Sequence, residues 1–273
     1  MSDSSEISLS PPVEVSFALR VGEGTLKASV EVPVGKTSLT QILPILQNLD
    51  TEIVGKVGQE AAAAGHSISC RAGCGACCRQ MVPLSIFEAE ALGEWFSALP
   101  EATQAKVEER FHNALVALHE AGVLQQLIQQ NWMSDMGSVL QVSVDYFHAK
   151  VACPFLEDES CSIHPIRPLS CREYIVTSPP ELCQDPSVND VAGVHLPVKL
   201  SAALYRLGQQ LEHEGRGWFP MIFLLAWAKK GLHPGEYFSG TGQEVLRIFI
   251  DQLATLPPAD GVATHSTGFM QAT

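Results

Sequence analysis

The eight cysteines of this 273-residue chain fall into two tight groups, and none lies elsewhere. The first group is Cys70, Cys74, Cys77 and Cys78, inside Cys-Arg-Ala-Gly-Cys-Gly-Ala-Cys-Cys. The second is Cys153, Cys161, Cys171 and Cys183, with Cys-Ser-Ile-His-Pro-Ile-Arg-Pro-Leu-Ser-Cys-Arg at its heart. Short-spaced thiols gather several soft ligands at one point, a need shared by zinc and by iron–sulfur clusters. All eight are therefore candidate metal ligands. Such grouping weighs against a scatter of buried apolar thiols. It leaves open two four-thiolate sites or one polynuclear centre with spare thiols.

Cys70-x3-Cys74-x2-Cys77 lies between the bacterial and plant-type ferredoxin spacings. Gly73 and Gly75 flank the middle cysteine, where glycine lets the backbone wrap a cluster closely and take positive φ. Cys77 and Cys78 are adjacent, so their side chains are expected to diverge rather than share one mononuclear ion. In the second group Cys153-Pro154 and Cys161 flank the acidic turn Glu157-Asp158-Glu159. Arg167 and Arg172 bracket Cys171 and are candidate cofactor-binding residues. A guanidinium there offsets thiolate charge, or grips a carboxylate with two parallel hydrogen bonds. His164 stands at ligand spacing from Cys161, as a ligand or as a packing residue. His112 and His119 recur one face apart on an expected helix and read as surface.

With those residues in view, the chain resembles the cysteine-cluster family of putative zinc- or iron-chelating domains. The resemblance runs through Cys70, Cys74, Cys77 and Cys78, then Cys153-Pro154, then Cys161 to Arg172, and covers roughly residues 68–185. It implies a metal cofactor, for which an iron–sulfur cluster is the preferred reading and zinc the alternative. The flagellin lysine N-methylase resembles the same cysteine pattern and implies an iron–sulfur centre used with S-adenosylmethionine. No Gly-rich fingerprint for that cosubstrate occurs in this chain. Three functions follow: a metal-binding, iron–sulfur protein of redox or protein-modifying role; a zinc-binding structural or interaction module; and a methylase-like enzyme.

The formal charge of −13 argues against sequence-independent nucleic-acid binding. The longest strongly apolar run, residues 221–228, is too short for a membrane span. The start is acidic and polar rather than signal-like, so a cytoplasmic location is expected, where clustered thiols serve metals more often than disulfides. The partner expected is a protein or small molecule of open identity. Gly35-Lys36-Thr37 lacks the first glycine of a phosphate loop, and neither a Gly-x-Ser-x-Gly elbow nor a His-Glu-x-x-His motif occurs.

The expected fold is mainly α: a cysteine-rich helical single domain with an N-terminal β-hairpin and metal-binding loops. Residues 1–12 are expected to be disordered, 13–65 to form the hairpin plus a helix, 66–255 the metal-binding domain, and 256–273 a flexible tail. Period-two alternation on both sides of Gly22-Glu23-Gly24 predicts the hairpin, which must pack on the helical body or on a second copy. A helix is expected over 39–64, with Pro44 near its first turn and Gly65 as its stop. Ser85-x-x-Glu88 predicts a capping box opening a helix that ends at Pro100. Further helices are expected over 101–121, 123–131, 197–213, 219–230 and 241–255. The Pro-rich stretch 150–195 reads as loop with short turns, held by something.

Overall fold

The computed structural model describes residues 11–21, 24–129, 131–211 and 215–256. The bulk of the expected disordered start, the hairpin turn at Gly22-Glu23 and the tail beyond residue 256 lie outside them.

The chain begins with strands β1 (Val13–Val21) and β2 (Gly24–Val32), paired antiparallel. Val13 faces Val32, Val15 faces Val30, Phe17 faces Ala28 and Leu19 faces Leu26. All these apolar residues share one face, as the alternation requires. A short strand β3 (Lys36–Ser38) and a 3-10 turn (Thr40–Ile42) lead into α1 (Leu43–Ala63), so the helix expected from residue 39 begins with a tighter turn. Pro44 sits in the first turn of α1. At the other end Gly65 takes φ +88°. The N–H of His66 donates to the Ala61 carbonyl (2.9 Å) and that of Gly65 to the Ala62 carbonyl (3.0 Å). This is a Schellman stop, and it requires the left-handed residue.

Strand β4 (Pro83–Ser85) precedes α2 (Ile86–Ser97). The capping box is present: Ser85 Oγ accepts from the Glu88 N–H, and the Glu88 carboxylate accepts from the Ser85 N–H. Helices α3 (Glu101–Glu120) and α4 (Val123–Gln129) follow, separated by Gly122 at φ +76°. Helix α5 (Met136–His148), capped by Asp135, has no counterpart among the expected helices. Its buried residues Val139, Val142, Ser143, Tyr146 and Phe147 follow the helical period. Its β-branched content obscures that period.

The stretch 150–195 is loop with short turns, as expected. It contains the strand pair β5 (Leu156–Glu157) and β6 (Ser160–Cys161), and the short helix α6 (Leu169–Glu173). Then come α7 (Leu200–Gln209), β7 (Trp218–Pro220), α8 (Leu224–Ala228), β8 (Ser239–Thr241) and α9 (Gly242–Ala254). The helix expected over 219–230 is therefore a strand, a 3-10 turn and a short helix. Trp218 and Phe219 suit a strand, and Pro220 donates no helical hydrogen bond.

Strand β3 pairs with β8, and β4 with β7, so both closures join distant parts of the chain. Strand β2 packs on α1 and α9, which gives the hairpin its support on the helical body. Helix α2 is central, against β4, α7, α8 and the 3-10 segments at 40–42 and 234–238. Phe87, Ala89 and Leu92 on it are buried. Fully burying a side chain such as Phe87 contributes about 1.5–3 kcal/mol. Glu88 and Glu90 are also buried, on opposite sides of the same helix. The architecture is a mainly α single domain. Among the described residues no helix is long and apolar enough to cross a membrane.

Ser85→Ala removes an N-cap whose partner Glu88 is buried, and is expected to cost about 1–2 kcal/mol. Urea unfolding measures it; an unchanged midpoint would contradict the role given to the capping box.

Candidate metal centre

The first cysteine loop follows the stop of α1 at once. Gly73 takes φ +83°. The Cys74 N–H bonds to the Arg71 carbonyl (3.2 Å), the Cys78 N–H to Gly75 (2.9 Å) and the Gln80 N–H to Cys77 (3.1 Å). These successive turns coil Cys74, Cys77 and Cys78 together. Gly75 is needed for close approach: a Cβ there would lie 2.7 Å from the Glu159 carbonyl oxygen and 2.7 Å from Leu156 Cδ1. So the loop rests directly on the β5–β6 turn.

That turn has Asp158 at φ 48° and Glu159 at φ 58°. Two left-handed residues make the tight connection a two-residue hairpin needs. Arg79 grips the Glu159 carboxylate at 2.9 and 2.6 Å, which holds the turn against the first loop. Arg110 pairs with Glu157 on the same hairpin. The loops also join through backbone: the Cys153 N–H donates to the Cys78 carbonyl (2.7 Å), and the Ser69 N–H to the Val176 carbonyl (2.8 Å).

Cys171 lies on α6, which is fixed from several sides. Glu88 Oε1 accepts the Leu169 N–H (2.7 Å), Ser170 donates to the Pro83 carbonyl (2.9 Å), and the Glu173 carboxylate accepts the N–H and hydroxyl of Ser201. Arg172 donates to the carbonyls of Arg167 and Pro165 and reaches Thr51 Oγ1 on α1 (3.4 Å). It binds the loop to α1. Arg167, by contrast, acts electrostatically on Cys70, Cys77, Cys161 and Cys171.

The two cysteine groups, far apart in sequence, form one connected set. Cys77 is within electrostatic range of Cys70, Cys78, Cys153, Cys161, Cys171 and Cys183, and Cys74 of Cys70 and Cys183. Cys77 and Cys78, expected to diverge, interact through their thiols. Consecutive residues point apart in a strand, but these two sit in a turn. The bond from Cys78, helped by the Arg167 guanidinium, lowers Cys77 to about 7 against the cost of burial. Cys78 is raised in return, because it holds the shared proton. Burial raises Cys153 and Cys183 to about 12, Cys171 well above its ordinary value, and Cys70 and Cys161 as well. Cys77 is thus the one lowered thiol beside six raised ones.

Two buried donors beside this set have no hydrogen-bond acceptor, Arg167 Nε and Gln80 Nε2, while the Tyr174 hydroxyl lies against the Cys183 thiol. The Gln80 amide lies against the Tyr174 hydroxyl. Gln80 carries no sequence signal beyond its place after Cys78. His164 is half-buried, and burial, joined by the Arg167 and Arg172 charges, lowers its pKa. His112 and His119 are exposed on α3. Asp50, in the middle of α1, is fully buried with both carboxylate oxygens unpartnered. Burial and the nearby Glu173 raise it to about 8, against the pull of Arg172 and Arg167.

Fold and thiols together define a helical cysteine-cluster protein. Residues 69–188 match the model of the CxxCxxCC family, described as a putative zinc- or iron-chelating domain. That match supports metal binding in general. No curated protein and no solved structure matches the chain. The likeness to the flagellin methylase rests on the cysteine pattern alone.

Metal uptake must displace protons from the raised thiols, so apparent zinc affinity is expected to fall as pH drops from 9 to 7. The slope is about tenfold per pH unit for each proton displaced. A competition titration showing no pH dependence would contradict these protonation states. Asp50 has a folded value above its ordinary one, so its favourable contribution is full below about pH 4 and fades as pH rises to 8. Asp50→Asn is therefore expected to gain stability relative to the parent between pH 5 and pH 8. Parallel thermal-melt profiles would refute this.

Proposed function

We propose that one polynuclear iron–sulfur centre, fed by both cysteine groups, is held among these eight thiols, and that the protein acts through it in a redox or protein-modifying role. A reducing, cytoplasmic compartment suits that chemistry, because thiols stay available to metal there.

The observation that carries the reading is the convergence of both groups around Cys77, with unsatisfied buried donors beside them. An iron–sulfur cluster has sulfur acceptors and net negative charge, which Arg167, Gln80 and Tyr174 are fitted to receive; hydrogen bonds to sulfur tune such clusters. Spacing adds support. A mononuclear four-thiolate zinc site sets its sulfurs about 3.8 Å apart, since each Zn–S bond is about 2.3 Å. Among the described residues no three cysteine sulfurs lie within 4.8 Å of one another. A larger centre tolerates the wider frame. When bound, the cluster would supply electron transfer or a Lewis-acidic iron; the chain would supply thiolate ligands and the Arg167 charge.

Zinc in a structural module remains the second reading. It is favoured by the cavity against Cys153, Gln80 and Tyr146, whose volume of about 10 Å³ holds one water rather than a substrate.

Cys74→Ser and Cys171→Ser draw on different groups. With one shared centre, each variant purified without oxygen loses most of its iron and acid-labile sulfide, and the double variant loses little more. Halving in each single variant, with abolition in the double, would mean two sites. Stoichiometric zinc without sulfide in the parent protein would favour the structural module.

A further inference from the structure

On the side of α2 away from the thiols, Glu90 and Glu94 stand one helical turn apart and meet His233, from the loop ahead of the 3-10 turn Pro234–Phe238. One donor atom from each of the three lies within 4.8 Å of the others. The three face a groove of about 360 Å³, lined also by Lys36, Gln41 and Glu236.

The arrangement is more than a group of surface acids. Glu90 is only 6% exposed, and its Oε2 is already committed. That oxygen accepts from Thr40 Oγ1 at 2.6 Å and from the Gly235 N–H at 2.9 Å. Gly235 is required for this contact, because a Cβ there would fall 2.2 Å from Thr40 Oγ1 and 2.9 Å from Glu90 Oε2. The carboxylate is thus locked in orientation by backing hydrogen bonds, the kind of support that metal-ligating carboxylates receive. Its other oxygen, Oε1, is aimed at His233 Nδ1, 3.2 Å away. A carboxylate oxygen and an imidazole nitrogen at that distance need a proton or a cation between them. A cation about 2.1 Å from each donor sets neighbouring ligands about 3.0 Å apart, close to the observed edge. Glu94 is exposed and lies on the open side.

We infer that Glu90, Glu94 and His233 form a second metal site, for a divalent cation of the manganese or iron(II) kind, independent of the thiol centre. Two carboxylates and one imidazole suit such ions, whereas soft thiolates select zinc and iron–sulfur clusters. Glu90 is the fixed ligand, and His233 supplies nitrogen through Nδ1 from a separate element. Glu94 closes the set from one turn along α2. The groove leaves the remaining coordination positions open to water or to an oxygen-donor ligand. The site does not rest on the reading given to the cysteines. It shares α2 with them, since Glu88 on the opposite side supports α6.

Manganese(II) titration of the full chain, followed by the loss of the free-ion electron paramagnetic resonance signal, tests this directly. The expected result is one saturable manganese per chain. Glu94→Gln and His233→Gln, both at exposed positions, each weaken it about tenfold or more. Thiol-bound metal content stays unchanged in these variants. Cys74→Ser is expected to leave manganese binding as it is. No saturation up to millimolar manganese would overturn the site, as would equal affinity in both groove variants. Loss of manganese binding in Cys74→Ser with an unchanged far-ultraviolet dichroism spectrum would overturn it too, because the ion would then reside at the thiols.

Discussion

The carboxylate of Glu88 joins the first turn of α2 to the first turn of α6, and with them the two halves of the thiol set. One oxygen serves Ser85, closing the capping box; the other accepts the Leu169 N–H two residues before Cys171. Hydrogen bonds to a charged group contribute about 1.5–3 kcal/mol each, twice the neutral value or more. Burial opposes that gain and pushes the Glu88 carboxyl up, while the bonds from Ser85 and Leu169 and the Arg172 charge draw it down. A protonated or missing carboxylate would release the start of α6 and with it the position of Cys171. Local helix chemistry and long-range assembly of the centre therefore depend on the same two oxygen atoms.

Around that joint, the cysteine loops are held by protein contacts. Arg79 on Glu159, the Cys153–Cys78 backbone bond, the Gly75 approach and the Arg172 contacts tie loop to loop and loop to α1. Beside the thiols Arg167 Nε and Gln80 Nε2 keep buried donors without acceptors, while Asp50 keeps two unpartnered oxygens on α1.

Much of this was legible in the sequence because the signals are local. Alternation in 13–32, Gly65 after α1, Ser85-x-x-Glu88 and the grouping of cysteines each declare themselves within a few residues. What escaped depends on distant partners. Helix α5 hides behind valines whose helical preference is set by burial against α4. Residues 218–220 become a strand because β4, more than a hundred residues away in sequence, offers them an edge. The closeness of Cys77 and Cys78 follows from turn geometry that spacing alone does not reveal. Asp50 looks like an ordinary polar residue until α6 covers it, and Glu90 meets His233 only through the β3–β8 closure region.

X-ray absorption at the metal edge of anaerobically purified full-length protein tests the shared centre most directly. The account predicts iron bound by sulfur with a second iron at short range, in a single population lost when a cysteine from either group is replaced. Zinc bound by four sulfurs with no neighbouring metal would contradict it.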